Sequence, residues 1–538
     1  MSVTIIFLIS MMFFVPFALK RMIRVYLAIP FFLLSFLIIF NIGFLDKYSF
    51  VDSDLIFHKT LVDAVIDPSP FQRDIAIQYY LKVYPRGYHI IFALLSNFKL
   101  SVPQISKLLG IILALITPFL FYFLAREIYQ NKETSFFSGL FCGVASIGHT
   151  VYSGLPRSIG LVLFLAALLC LFRIGRDQLK ISYIVVLNMI MVMLLFIHPH
   201  TFIVLWLVLI AFFLTMFFQK KKKIDNLCKS YFLVLLSLLF YAIACWIFKE
   251  KNFIRLSSWD FLYKHQDVYF NRVPYAFMNF FKLIRDVGIL PTLIFFGAFF
   301  IFFQRLECRN KYPNLPVLFI TVVFLILSAL AVMKINGLFF LKAHRFAPFI
   351  SSLMYLSGVW VLKDLWSKIY NIKVIVPIYC LILLTPSAID LKNYLGAPKY
   401  PYDLNRICIG ISKEGKNQLT FNEILKLTDF IDQNLSRNEM IACSLELGDV
   451  LRMYSRRPVT ASWEIGGMIT TYKDALYIYK KQIVNSAILY DDPELLNKRY
   501  AVRFFLFEKN KLTNAPDMLT KFQVLWESEN IYFCEKRG

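Results

Sequence analysis

Val25-Tyr-Leu-Ala-Ile-Pro-Phe-Phe-Leu-Leu-Ser-Phe-Leu-Ile-Ile-Phe-Asn-Ile-Gly-Phe-Leu45 is an apolar run that gives way, seven residues later, to Asp52-Ser-Asp54-Leu-Ile-Phe-His58. Twenty-one residues without a formal charge are long enough to cross a hydrocarbon core of ~30 Å. The carboxylates that follow stand where such a segment leaves the bilayer. Working outward, runs of similar length recur through the first three quarters of the chain. The 538 residues are 58% hydrophobic and only 17% charged, with 56 Phe and a mean hydropathy of +0.61. A soluble chain carries roughly a quarter charged residues, so this one needs lipid to cover its apolar surface. The class is a polytopic α-helical membrane protein.

The net charge of +23 is distributed in a way that speaks against nucleic acid. Lys20/Arg21/Arg24, Arg126/Lys132, Arg173/Arg176/Lys180, Lys220–Lys223, Arg305/Arg309/Lys311 and Lys363/Lys368/Lys373 fall in alternate short loops. Basic residues kept on one side set membrane orientation, and anionic headgroups are their partners. With those loops inside, the sequence predicts about twelve spans. They lie near 4–19, 25–45, 105–125, 134–151, 158–173, 182–198, 201–218, 230–248, 288–304, 315–333, 346–363 and 373–389. Ile5–Leu19 reads as a retained helix because Lys20-Arg21 follows it and no small-residue cleavage site does. Residues 1–389 then form the membrane domain, with outer loops 46–104, 249–287 and 334–345, and 390–538 form an extracytoplasmic domain on the same side.

Within the first loop, Asp54–Ile66 reads as an amphipathic helix ended by Asp67-Pro68-Ser69-Pro70. Asp54 and His58 are one turn apart and share a face. Tyr84-Pro-Arg86-Gly-Tyr-His89 turns the chain into Ile90–Phe98, too short to span and expected at the interface. In the tail, Phe421–Leu435 has helical periodicity, and Met440–Ser444, Val502–Phe507 and Ile531–Cys534 look like short strands. That describes a small soluble α/β domain. Cys408, Cys443 and Cys534 leave room for one disulfide there.

Carboxylates at a membrane boundary can deprotonate an acceptor hydroxyl or hold a divalent cation. They can equally cap a helix N-terminus. Asp52, Asp54 and His58 are the catalytic candidates on this ground. Lys342-Ala-His344-Arg345 enters the bilayer from outside, and the Arg345 guanidinium suits a phosphate bidentately; headgroup anchoring is the plain alternative. Arg157, His198, His200 and His149 stand at outer helix ends, where hydrogen bonding to a substrate is the expected role. No Gly-rich phosphate loop, nucleophile elbow or zinc spacing is present in the sequence.

Asp54-x-x-x-His58 after an early span resembles the first outer loop of the GT-C glycosyltransferases, multi-pass enzymes that use polyprenyl-phosphate-linked sugars. Tyr84-Pro85-Arg86-Gly87-Tyr88-His89 is similar to a turn common in that superfamily, and Ser153-Gly154-Leu155-Pro156-Arg157 and His198-Pro199-His200 sit where such proteins place comparable segments. The resemblance implies an inverting hexosyl- or pentosyltransferase with Asp54 as base or metal ligand. A divalent cation, Mg or Mn, would sit at Asp52 and Asp54. Arg345, with Lys342, His344 and Arg157, would hold the lipid phosphate, and Arg86, His89, His149, His198 and His200 would line the substrate site. It further implies a glycan, lipid or protein acceptor and a prokaryotic plasma membrane with the active site outside. Ser462-Trp463-Glu464-Ile465-Gly466 faintly resembles an oligosaccharyltransferase signature, with three departures in five. Competing readings are a polysaccharide polymerase or ligase and a lipid-linked oligosaccharide flippase. The clustering of acids outside the bilayer, without matching halves, weighs against transport.

Overall fold

The computed structural model describes residues 54–83, 87–142, 156–174, 181–218, most of 283–334, 346–369, 421–462, 473–512 and 520–537. The expected spans 4–19, 25–45, 230–248 and 373–389 lie outside them, as does the second half of 134–151.

Three helices follow the first acidic segment: α1 (Asp54–Ile66), α2 (Ile75–Val83) and α3 (Gly87–Ser96). The chain then builds α4 (Val102–Tyr129), α5 (Lys132–Phe137) running into a π turn over Ser138–Cys142, α6 (Pro156–Ile174), α7 (Ile181–Ile197) and α8 (Pro199–Phe218). Further along come α9 (Ile289–Gln304), α10 (Leu315–Lys334) and α11 (Ala347–Ile369). The tail adds α12 (Phe421–Asn434), β1 (Ile441–Ala442), α13 (Leu445–Tyr454), α14 (Lys473–Asp491), α15 (Pro493–Tyr500), β2 (Phe504–Glu508), β3 (Phe522–Glu527) and β4 (Ile531–Lys536).

These elements form two compact units. The helical unit comprises 1–42, 107–251 and 263–396; the mixed unit comprises 43–106, 252–262 and 397–538. The first-loop helices α1 to α3 therefore belong with the C-terminal residues.

The helical unit is apolar on its outside as well as within. Leu293, Phe300, Met189 and Leu327 are each more than half exposed, which suits lipid as the solvent. Among the described residues, α6 is the one helix both long and apolar enough to cross a membrane by length and composition alone. Several buried hydroxyls are satisfied within their own helices. Thr117, Thr215 and Thr321 each donate to the carbonyl four residues back at 2.7 Å. Close packing of α9 on α11 depends on Gly358, where a Cβ would lie 2.2 Å from Ile294 Cγ2.

In the mixed unit a four-stranded sheet has the order β1-β2-β4-β3, parallel at β1–β2 and antiparallel elsewhere. Strand β2 is buried along its whole length, as a run of Phe-Phe-Leu-Phe covered on both faces must be. Phe504 and Leu506 point to one side, where Ile424, Leu427 and Ile431 of α12 and Leu447, Val450 and Leu451 of α13 pack. Phe505 and Phe507 point to the other, onto Leu489 of α14 and Leu496 of α15. Cys443 and Cys534 are free thiols that join these opposite clusters; Cys408 lies outside the described residues.

The structure corrects one expectation for the first loop. Helix α1 has the expected ends, but it has no solvent face along its middle: every residue from His58 to Ala64 is buried. Lys59 and Asp63 are covered within the mixed unit, α13 supplying a partner to this face. Helix α3 buries Tyr88, His89 and Phe92 while Ile90 and Leu94 stay exposed, an apolar outer face that suits a membrane surface.

Candidate functional site

Asp54 is the first residue of α1. One turn later, His58 is 2% exposed and faces His89 of α3, also 2% exposed. His58 Nδ1 and His89 Nε2 are 3.1 Å apart. A hydrogen bond there needs one nitrogen protonated and the other bare, so at most one of the pair donates. The Tyr88 ring meets His58 edge-on at 4.9 Å between centroids, which leaves the imidazole little freedom to turn. Local sequence makes this meeting possible: Asp67 accepts from the Ser69 amide and hydroxyl at 3.1 and 2.6 Å, closing the Asp-Pro-Ser-Pro turn. These Ser69 hydrogen bonds hold the Asp67 carboxyl below its ordinary pKa.

Below the histidines lies a buried lattice of charge. Lys59 Nζ donates to Asp63 Oδ2 at 2.6 Å and to the Arg452 carbonyl at 3.5 Å. Burial pushes the Lys59 ammonium below its usual pKa, and the Asp63 carboxylate partly opposes that shift. Arg456 Nε stands 3.4 Å from Asp63 Oδ1, close enough for attraction although this oxygen has no hydrogen bond among the described residues. Asp74 does two jobs. Its Oδ1 accepts from the Ile77 amide and caps α2 at 3.2 Å, while its Oδ2 pairs with Arg452 Nη2 at 2.5 Å. Arg452 is 1% exposed and Asp74 2%. The lattice ties α1 and α2 to α13, so the carboxylate-bearing helix cannot shift without moving charges already stripped of water.

The other sequence-derived candidates are scattered. Asp52, Arg86, His149, Lys342, His344 and Arg345 lie outside the described residues. Arg157, the second residue of α6, is exposed in the helical unit. His198 hydrogen-bonds Thr201 through Nδ1 and Oγ1 at 2.6 Å, and its ring is 5.5 Å from that of His200. Gly160 of α6 packs against this corner, since a Cβ there would lie 2.5 Å from Thr201 Oγ1. His198 is thus fixed by local packing. Ser462 hydrogen-bonds Asp449, and the rest of the Ser462–Gly466 segment lies outside the described residues.

Sequence reasoning grouped His58 with Asp54 and placed His89 apart; the structure joins the two histidines. It missed Lys59, Asp63, Asp74 and Arg452. The Lys59/Asp63 spacing was a visible signal, whereas Arg452 and Asp74 are 378 residues apart. Among the described residues, no three His, Cys, Asp or Glu side chains converge as metal ligands.

The fold is shared with solved structures of low sequence identity. ArnT from Cupriavidus metallidurans in the apo state is similar to this chain with a TM-score of 0.59 and 13% identity, over 94% of this chain and 97% of that one. The same protein bound to undecaprenyl phosphate gives a TM-score of 0.52 and 12% identity over the same shares. The Archaeoglobus fulgidus oligosaccharyltransferase gives a TM-score of 0.45 and 11% identity, covering 90% of this chain and 73% of that one. Within the fold, the chain belongs to a family of unknown function (DUF6541), whose model matches residues 18–356, more than half its length. No curated protein matches it.

Proposed function

We propose that this protein is a membrane glycosyltransferase that moves a hexose or pentose from a polyprenyl-phosphate-linked donor to an acceptor. The observation that carries this reading is the GT-C fold, shared over 94% of the chain with a protein crystallised bound to undecaprenyl phosphate. The chain crosses the membrane about twelve times, and the reaction takes place on the extracytoplasmic side of a prokaryotic plasma membrane. The acceptor is a glycan, a lipid or a protein.

Asp54 at the head of α1 takes the proton from the acceptor hydroxyl. The freed oxygen forms a bond to the anomeric carbon as the bond from that carbon to the phosphate oxygen breaks, and the electron pair leaves with the lipid phosphate. Configuration inverts in this single displacement. Arg345 binds the departing phosphate through its planar fork, with Lys342, His344 and Arg157 adding positive charge. His58 and His89 hold the helix face next to the base. A divalent cation, when bound near Asp52 and Asp54, supplies charge neutralisation at the phosphate.

The test is transfer from a radiolabelled undecaprenyl-phosphate-linked sugar by protein reconstituted in liposomes. Asp54→Asn keeps a capping oxygen and loses the basicity. Insertion and melting temperature stay at wild-type values while turnover falls by roughly 10²–10⁴-fold, the usual share of a positioned base. An Asp54→Asn protein that transfers sugar at the wild-type rate ends this mechanism.

A further inference from the structure

We propose that a recess between α2 and α14 of the mixed unit binds an acidic saccharide, one carrying a carboxylate or phosphate beside its hydroxyls. Calling that occupant the acceptor rests on the transferase reading above; the site itself does not. The recess has a volume of about 310 Å³ counting its open mouth, at the small end of the range that ligand sites occupy. Arg73, Thr460, Lys481, Gln482, Asn485 and Tyr500 supply its polar wall. Ala76, Met440 and Val459 supply its apolar part. The mechanism above uses none of them.

One buried group there calls for a hydroxyl. Gln482 is 5% exposed, and its Oε1 is buried with no hydrogen-bond partner among the described residues. An amide oxygen shut away from water and left unpaired is destabilising. Turned over, the amide would present a donor at the same place, and a hydroxyl, being donor and acceptor, answers either. The rest of this wall is already fixed. Asn485, three residues on and on the same helical face, donates through Nδ2 to the Thr460 carbonyl at 2.9 Å and to the Tyr500 hydroxyl at 3.1 Å. Little freedom is then lost when a ligand arrives.

Charge narrows the class. Asp74, the one carboxylate lining the recess among the described residues, is 2% exposed and already paired with Arg452 Nη2 at 2.5 Å. Arg73 and Lys481 line the same recess, so the charge left over is positive and suits a carboxylate or phosphate. Lys481 Nζ stands 5.6 Å from the centre of the Tyr500 ring, which puts this cation beside the Asn485–Tyr500 wall. A simple anion would use the cations and leave Gln482 unanswered, and a neutral sugar would do the opposite. An acidic saccharide meets both, and the C–H face of its ring suits the apolar part.

The test uses the full chain in nanodiscs and saturation-transfer NMR, with glucuronate, glucose 6-phosphate and glucose as probes and inorganic phosphate as competitor. At least one acidic sugar should bind near about 1 mM, as ligands of this size do, and which one binds tells carboxylate from phosphate. Glucose should bind at least about tenfold more weakly, since it lacks the charge-assisted contacts. Arg73→Gln/Lys481→Gln should weaken the acidic sugar about 10–100-fold, and Gln482→Leu about tenfold. Melting curves check folding; Arg73 is exposed and Lys481 half-buried, so the charge variant decides the matter if Gln482→Leu does not fold. The site is overturned if neither acidic sugar binds, if glucose binds as well, if inorganic phosphate competes at equal concentration, or if a folded variant keeps wild-type affinity. Sugar transfer by protein that binds neither acidic sugar removes the recess and leaves the transferase reading standing; binding in the recess with no transfer from any lipid-linked sugar does the reverse.

Discussion

The two units solve the burial of polar groups in opposite ways. In the helical unit many buried polar atoms answer to their own helices: Thr321 donates to Val317, Ser352 to Pro348 and Asn188 to Ile184, all within one turn, while Tyr129 and Ser138 donate across to the Leu356 and Phe121 carbonyls. In the mixed unit whole charges are buried, and their partners come from distant sequence: the buried Arg452 pairs with the buried Asp74, and the buried Asp63 with Arg456, which is itself exposed. The difference follows from the solvent. A helix in lipid must satisfy its polar groups before it meets its neighbours, because the surroundings offer no water meanwhile. A unit that folds in water can bring charges in late and pair them across elements. The cost is that each buried pair is stable only while complete.

The largest effect should come from breaking such a pair. Asp74→Asn keeps the oxygen that caps α2 and removes the charge facing Arg452. An uncompensated buried guanidinium is expected to cost about 3–5 kcal/mol, read by chemical denaturation in detergent with Trp526 fluorescence reporting the mixed unit. Adding Arg452→Met should recover most of the loss, since an apolar side chain needs no counter-charge. If Asp74→Asn stays within about 1 kcal/mol of wild type, its buried charges behave as surface ones do, and the contrast between the units fails.

A middle-sized effect is expected from packing in the helical unit. A Cβ at Gly358 would meet Ile294 Cγ2 at 2.2 Å and the Ile294 carbonyl oxygen at 3.0 Å. The methyl group can move, but the backbone oxygen yields only if α9 and α11 separate. Gly358→Ala should therefore cost about 1–3 kcal/mol, measured as a lowered melting temperature. Ile294→Ala in the same chain should make the glycine substitution cheaper, which identifies this contact as the cause.

The smallest effect sharpens the comparison from the other side. Thr321→Val removes a buried hydroxyl whose partner carbonyl already belongs to the helix ladder. The loss should be about 1 kcal/mol or less in the same melting assay. A cost near that of Asp74→Asn would mean that Thr321 holds something beyond its own helix.

Much of the mixed unit was legible in sequence. The ends of α1 follow from Asp54 and the Pro68/Pro70 pair, and the helix over Phe421–Asn434 follows from its apolar spacing. Strands β1, β2 and β4 fall within or beside the expected segments. Strand β3, at Phe522–Glu527, was not expected. It is an edge strand whose register shifts between Val524 and Trp526, so its side chains do not alternate cleanly between core and water. The amphipathic reading of α1 failed for a related reason: Lys59 and Asp63 look like a solvated pair, and nothing near them announces α13.

By itself the sequence determined the need for lipid, a helix from Asp54 to Ile66 and the turn that ends it. These depend on composition, on 3.6 residues per turn and on the missing amide of proline, all of which act within a few residues. Only the tertiary structure decided that His58 meets His89, that Arg452 reaches Asp74, and that every side of the middle of α1 is covered. Helical periodicity fixes which side chains share a face; which surface covers that face depends on burial and charge pairing summed over elements hundreds of residues apart.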